Sequence, residues 1–211
     1  MDSPSASQRG VPLQFVAIFL DVLTDLVGPH GTAALLRRAS HAEWIAAPPP
    51  RTLVAFASPE STTALLASLE ELYGMRGSRG LGRRMGAALV DRCLKDIGAF
   101  AAVGDPSFQA LPARTRARVG LLALGRAVTA IGGFRVEVSP ADRAITISAP
   151  DCPFCLNRTL AAPGCSPLVG LVEAGLRLIA PDLAPTAEET ACRGVGAAAC
   201  QVIVPLPAPA G

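Results

Sequence analysis

The chain has 211 residues, enough for one well-packed domain with at most a small appendage, and half of them are apolar. Its 19 basic and 17 acidic side chains leave a net charge of only +2, which argues against a nucleic-acid binder or a polybasic membrane-surface patch. Seven Phe, one Trp and one Tyr leave the core to be built from Ala, Leu, Val and Ile.

Residues 1–10, MDSPSASQRG, lack the basic start and small-residue cleavage pattern of an export signal. They read as a disordered tip ahead of one domain over 11–207, and the expected compartment is the cytoplasm, where thiols stay reduced. The apolar stretch 11–27 carries Asp21 and Asp25 and is short for a bilayer, so no membrane insertion is expected. Within it, Phe15, Ile18, Phe19, Val22, Leu23 and Leu26 recur at helical spacing until Gly28 and Pro29 end the pattern. A short helix is expected over 31–39, followed by a loop, HAEWIAAPPPR, whose three prolines forbid helix. A strand is expected over 52–57 and an amphipathic helix over 61–73, ending at Gly74.

The segment YGMRGSRGLGRRMG, 73–86, is punctuated by glycines and arginines. A helix is expected from about Gly80 to Ala102. Gly104, Asp105 and Pro106 break the chain, and a long helix over 113–131 stops at Gly132 and Gly133. The period then changes to two. FRVEVS (134–139) and AITISA (144–149) alternate apolar and polar residues around a four-residue turn, which predicts a hairpin. An apolar helix over 166–180 has Ser166 as a plausible cap and Pro167 in its first turn. Strands are expected over 186–190 and 201–206. Helices first, then a small antiparallel sheet with a crossover helix, is an α+β pattern.

Five of the six cysteines fall in the last 60 residues: Cys152, Cys155, Cys165, Cys192 and Cys200. In a reducing compartment such a cluster points to a metal more than to disulfides. Cys165 precedes a helix, Glu189 and Cys192 end one strand, and Cys200 begins the next. A crossover returning to a hairpin brings these four together, and three thiolates with one carboxylate oxygen suit a tetrahedral zinc. A closed shell of four leaves no place for water, so this zinc is structural. Gly194 and Gly196 would let main-chain amides turn toward the sulfurs. Cys152 and Cys155 form CPFC, an extra pair with three readings open: substitutes for Glu189 and another ligand in a four-cysteine site, a redox pair, or inert neighbours.

The order Cys165, Glu189, Cys192, Cys200, with Glu-x-x-Cys before a glycine turn and a final strand, resembles the 4-vinyl reductase domain family over roughly 144–205. The zinc-containing, family-like part extends over about 134–207. The upstream RGSRGLGRRMG and 108–124 segments are similar to stand-alone members. That family takes its name from a proposed reductase of bacteriochlorophyll synthesis and includes sensor domains of aromatic-responsive activators. The resemblance implies a fold shared with Golgi-transport tethering subunits and heme-based nitric oxide sensors, and a homodimer. Phenol-sensing members use a histidine and a tryptophan upstream of the first zinc cysteine. Here no His and no further Trp lie between Trp44 and Cys165, so phenol recognition is not carried over. An apolar ligand, hydrocarbon- or tetrapyrrole-like, fits the aliphatic composition better.

No residue is nominated for catalysis. Both histidines, His30 and His41, lie near the start, and no nicotinamide or flavin fingerprint is visible. His41 and Trp44 stand three apart and read as a loop residue and a packing aromatic rather than a shared site. The segment 76–84 reads as a structural turn and helix start rather than a phosphate cradle. The expected function is therefore a small-molecule-binding module with one structural zinc. A vinyl reductase or accessory protein of bacteriochlorophyll synthesis, and a dimeric scaffold, are the alternatives.

Overall fold

Residues 10–97, 101–184 and 186–208 are described by the structure, a computed structural model; the expected tip therefore lies outside them, apart from Gly10. Strand β1 (Val11–Pro12) pairs antiparallel with β2 (Phe56–Ala57), closing the loop that follows helix α1 (Leu13–Arg38). That loop holds a single helical turn, α2 (Glu43–Ala46). The strand expected over 52–57 is only these two residues long. Helix α1 is two arms: Gly28 takes φ 74°, ψ 167°, outside helical space, and Pro29 follows. Helix α3 (Pro59–Ile97) repeats the device at Gly74, with φ 69° and ψ 167°. Its second arm begins at Met75, five residues before the expected start. The residues expected to carry that helix on to Ala102 include 98–100, which are not described.

By length and composition alone α1 is long and apolar enough to cross a membrane. In the fold, Phe15, Ile18, Phe19, Val22 and Leu23 of its first arm are core residues. A one-turn helix α4 (Pro106–Gln109), capped by the Asp105 carboxylate on the Ser107 amide, leads into α5 (Ala113–Gly132). Gly133 ends α5 in the left-handed conformation, φ 69°.

Strands β3 (Glu137–Pro140), β4 (Ala144–Ala149), β5 (Glu188–Ala191) and β6 (Cys200–Pro205) form one antiparallel sheet in the order β3-β4-β6-β5. Helix α6 (Ser166–Ile179) is the crossover between β4 and β5. Strand β3 starts three residues later than its alternation predicts. Phe134 leaves the ladder to bury its ring against Phe15 and Phe154, at centroid distances of 6.5 and 6.0 Å. Strands β4 and β6 bury alternate residues (Ile145, Ile147 and Ala149; Cys200, Val202 and Val204), as period two requires of a sheet covered on one face. Helix α6 covers that face and is itself covered by α3 and α5, which is why it is apolar nearly all round.

The glycine–arginine segment breaks at Gly74 and is helical from Met75 on, where a turn and a helix start from about Gly80 were expected. Gly82 and Gly86 lie one turn apart on the face of α3 that crosses α6, where Gly170 lies opposite. A Cβ on Gly86 would sit 2.7 Å from the Leu171 amide nitrogen, and one on Gly170 would sit 2.7 Å from the Arg83 carbonyl carbon. The missing side chains are what allow the two backbones to touch. Arg79 and Arg83 flank the seam. Arg79 donates to the Pro163 carbonyl (3.0 Å), and Arg83 holds the Glu173 carboxylate through two nitrogens, Nε at 2.8 Å.

Candidate metal centre

Three segments carry the five cysteines to one point beneath the end of the sheet. Cys152 and Cys155 sit in a turn just after β4, closed by the Cys155 amide on the Cys152 carbonyl (3.2 Å). Cys165 occupies the cap position of α6, and Cys192 and Cys200 bracket the turn between β5 and β6. The ladder sets Cys200 opposite Ala149, so the last strand begins level with the end of β4. All five are at most 2% exposed.

The CPFC turn is pinned from outside the sheet. Thr63 of α3 donates to the Pro153 carbonyl (2.7 Å), Arg158 pairs with Glu70, and Phe154 is fully buried in the core. On the other side Arg193 donates to the Pro150 carbonyl (2.6 Å), and the Leu160 amide donates to the Gly194 carbonyl (2.7 Å). Nothing in the spacing of Thr63 or Glu70 marks them for this role, because they lie about 90 residues from their partners.

The sulfurs of Cys152, Cys155, Cys165 and Cys200 all lie within 4.8 Å of one another, an arrangement that could hold a metal ion. Cys152 and Cys165 are 3.1 Å apart, and Cys192 reaches Cys155 at 3.5 Å. A tetrahedral zinc with bonds of about 2.3 Å places its sulfurs roughly 3.8 Å apart. Of the six residues singled out in the sequence, five therefore bring sulfur to the cluster. The sixth, Glu189, turns both carboxylate oxygens to the Cys165 main-chain amide, at 3.0 and 2.9 Å. In the glycine turn a main-chain amide does reach sulfur: that of Arg193, 3.4 Å from Cys200. Gly196 supplies a left-handed φ of 94°, and Gly194 leaves room for the Leu160 side chain.

The electrostatics of the cluster favour a cation. Cys152, Cys155, Cys165 and Cys192 hydrogen-bond to Cys200 and hold its thiol well below the usual range, against the cost of burial. Cys155 is pushed up by its neighbours Cys152, Cys165, Cys192 and Cys200, and by burial. Cys165 is also raised, first by Cys152. Cys192 is pushed up to about 11: its bond to Cys155 pulls the other way, but Cys200 and burial outweigh it. Burial raises Glu189, opposed by the Cys165 amide. Several buried thiols cannot ionise together unless a cation joins them.

The histidines take no part. His30 is exposed, and His41 stacks on Trp44 with ring centroids 4.1 Å apart and planes 4° from parallel.

No protein-family model matches the chain, and no curated protein matches it significantly. Solved structures do match. One H-NOX structure, from work on heme distortion in that family, superposes with a TM-score of 0.54 at 16% identity, covering 90% of each chain. The fold is that of the H-NOX domains. A point mutant of T. tengcongensis H-NOX matches with a TM-score of 0.51 at 14% identity, over 90% of this chain and 92% of that one. An oxygen-binding H-NOX domain related to soluble guanylate cyclases matches with a TM-score of 0.51 at 15% identity, over 89% of both chains.

Heme does not fit the interior shown here. His30 is exposed, and His41 is stacked on Trp44. The apolar void between α1, α3, α5 and α6, lined by Phe15, Leu89, Val128, Ile131 and Leu171, is only about 30 Å³, whereas organic ligands occupy sites of roughly 300–1,000 Å³.

Proposed function

We propose that the chain is a small-molecule-binding module of the 4-vinyl reductase domain type, braced by one structural zinc. The observation that carries the metal half is the meeting of four buried thiols from three chain segments within 4.8 Å. In this reading Cys152, Cys155, Cys165 and Cys200 are the ligands. Cys192 and Glu189, which the resemblance nominates, stand beside the ion, Glu189 orienting the Cys165 amide. The ion ties the end of β4, the start of α6 and the β5–β6 turn together, so its binding free energy is folding free energy. Reduced thiols at such a centre suit a cytoplasmic protein.

The likeness to small-molecule-binding domains in fold supports the binding half, and the aliphatic composition favours an apolar ligand. A second reading, the interaction scaffold, is favoured by the small size of that interior void. Native mass spectrometry of freshly purified protein, compared with the denatured mass, tests both. One zinc with a co-purified organic compound is the expected result, and zinc with no compound from any preparation would favour the scaffold. Cys152→Ser should abolish the zinc and Cys192→Ser should retain it. The reverse pattern would restore the Cys165, Glu189, Cys192, Cys200 set.

A further inference from the structure

A hollow of about 450 Å³ lies between the two arms of α1 and the loop that carries α2. That volume falls within the range of small-molecule sites. The break at Gly28 and Pro29 creates it by parting the arms. Its walls are apolar: Leu20, Leu36, Trp44, Ile45, Pro48 and Pro49. Its polar groups are two threonine hydroxyls and one ion pair. Thr24 donates to the Leu20 carbonyl (2.8 Å) or to the Thr32 oxygen (3.2 Å), and Thr32 donates to the Gly28 carbonyl (3.0 Å).

A hydroxyl has one hydrogen to give and two lone pairs to accept with. Thr32 gives its hydrogen to a main-chain carbonyl, and Thr24 gives its own to a carbonyl or to Thr32, so toward the hollow the pair offers lone pairs. Asp21 and Arg51, which also line the hollow, pair with each other. Their charges cancel, so the hollow selects no net charge. Trp44 is held in place by the stacked ring of His41, whose Nδ1 lies 3.2 Å from Glu43. An aromatic wall and paired acceptors lining one hollow can orient a ligand.

We infer that this hollow binds an uncharged compound with an apolar ring or chain body and a hydroxyl at one end. The hydroxyl shares its one hydrogen between the Thr24 and Thr32 oxygens, and the body lies against Trp44 and the prolines. The inference rests on the binding-module reading and places the ligand on α1 rather than between helices and sheet.

Trp44 is the sole tryptophan, so its emission reports on the hollow alone. The probe is 4-cyclohexylcyclohexanol, titrated into the zinc-loaded full chain and followed by Trp emission and calorimetry in parallel. Saturable heat with a matching emission change is expected. The methyl ether of the same alcohol keeps the body and loses the donor, and should bind about three- to tenfold more weakly, the worth of one hydrogen bond. Thr32→Val should remove most of that preference. Ala33→Phe, at a half-buried position lining the hollow, should abolish binding even if the threonine variant fails to fold. Heat without an emission change, unaffected by Ala33→Phe, would overturn the inference and leave the binding-module reading standing. Equal affinity for alcohol and ether, or neither heat nor emission change with the alcohol, would also overturn it. In the latter case the module reading would be judged separately, by the native mass of the purified protein.

Discussion

Replacing Gly86 with alanine adds one methyl group where α3 crosses α6, and the structure says why that group has no room. The new Cβ would lie 2.7 Å from the Leu171 nitrogen and 2.8 Å from the Pro167 carbonyl carbon, against 3.4 Å or more for ordinary contact. These are backbone atoms inside a helix and cannot rotate away. The Pro167 carbonyl oxygen lies nearer still, so the helices must part by more than about 0.7 Å, a gap that forfeits at least a quarter to a half of the dispersion energy across the seam. The seam holds Met85, Leu89, Leu168 and Leu171, all buried. Overpacking of this kind costs about 1–3 kcal/mol, and the lost dispersion adds to it. Against it, alanine gains about 1 kcal/mol of helix propensity over glycine. A net loss of about 2 kcal/mol follows, the upper end of the overpacking range less the propensity gain, or roughly 4–8 °C in Tm for a chain of this length. Gly80 is the control. It lies in the same helix, but a Cβ there meets nothing within 4 Å, so Gly80→Ala should gain up to about 1 kcal/mol. Urea titration and thermal melting of the two variants beside the parent read the difference. If Gly86→Ala matches or exceeds the parent, the close-crossing argument is refuted. Because Pro167 lies two residues from Cys165, the same variant should also bind zinc more weakly.

Stripping zinc with a chelator, or lowering the pH until the thiolates protonate, should loosen the C-terminal sheet; loss of amide-exchange protection confined to β4, β6 and the start of α6 is the expected signature, and unchanged protection would deny the ion its bracing role. Glu173→Ala should cost about 1–3 kcal/mol by urea titration, because the carboxylate accepts the buried Ala187 amide at 3.3 Å as well as holding Arg83; a loss below about 0.5 kcal/mol would mean water replaces it. Phe154→Ala should cost about 3–5 kcal/mol, since its ring is fully buried against Phe134, and should lower zinc affinity as well because it anchors the CPFC turn; a stability loss with zinc affinity untouched would separate core from site.

Helices and strands with a local signature were legible in the sequence. Gly28–Pro29 and Gly74 broke two helices as expected, since a φ near +70° and a proline act on their own few residues. The hairpin at 137–149 and the crossover helix over 166–179 followed from a change of period. The cysteines pointed to a metal, and the structure gathers four of their sulfurs within 4.8 Å, an arrangement that could hold one.

Tertiary structure decided the rest. Spacing selected Cys165, Glu189, Cys192 and Cys200, whereas mutual distance grouped Cys152 and Cys155 with Cys165 and Cys200. No local pattern records that the CPFC turn is drawn under the sheet by Thr63 and Glu70, some 90 residues away. Gly82 and Gly86 fall inside the helix expected from the sequence, but only the partner helix shows why they are glycine. Trp44 and Thr32 looked ordinary until the break at Gly28 set them around one hollow. A sequence carries the short-range steric rules of each residue, while a site is made by residues that meet only after those rules have been satisfied many times over.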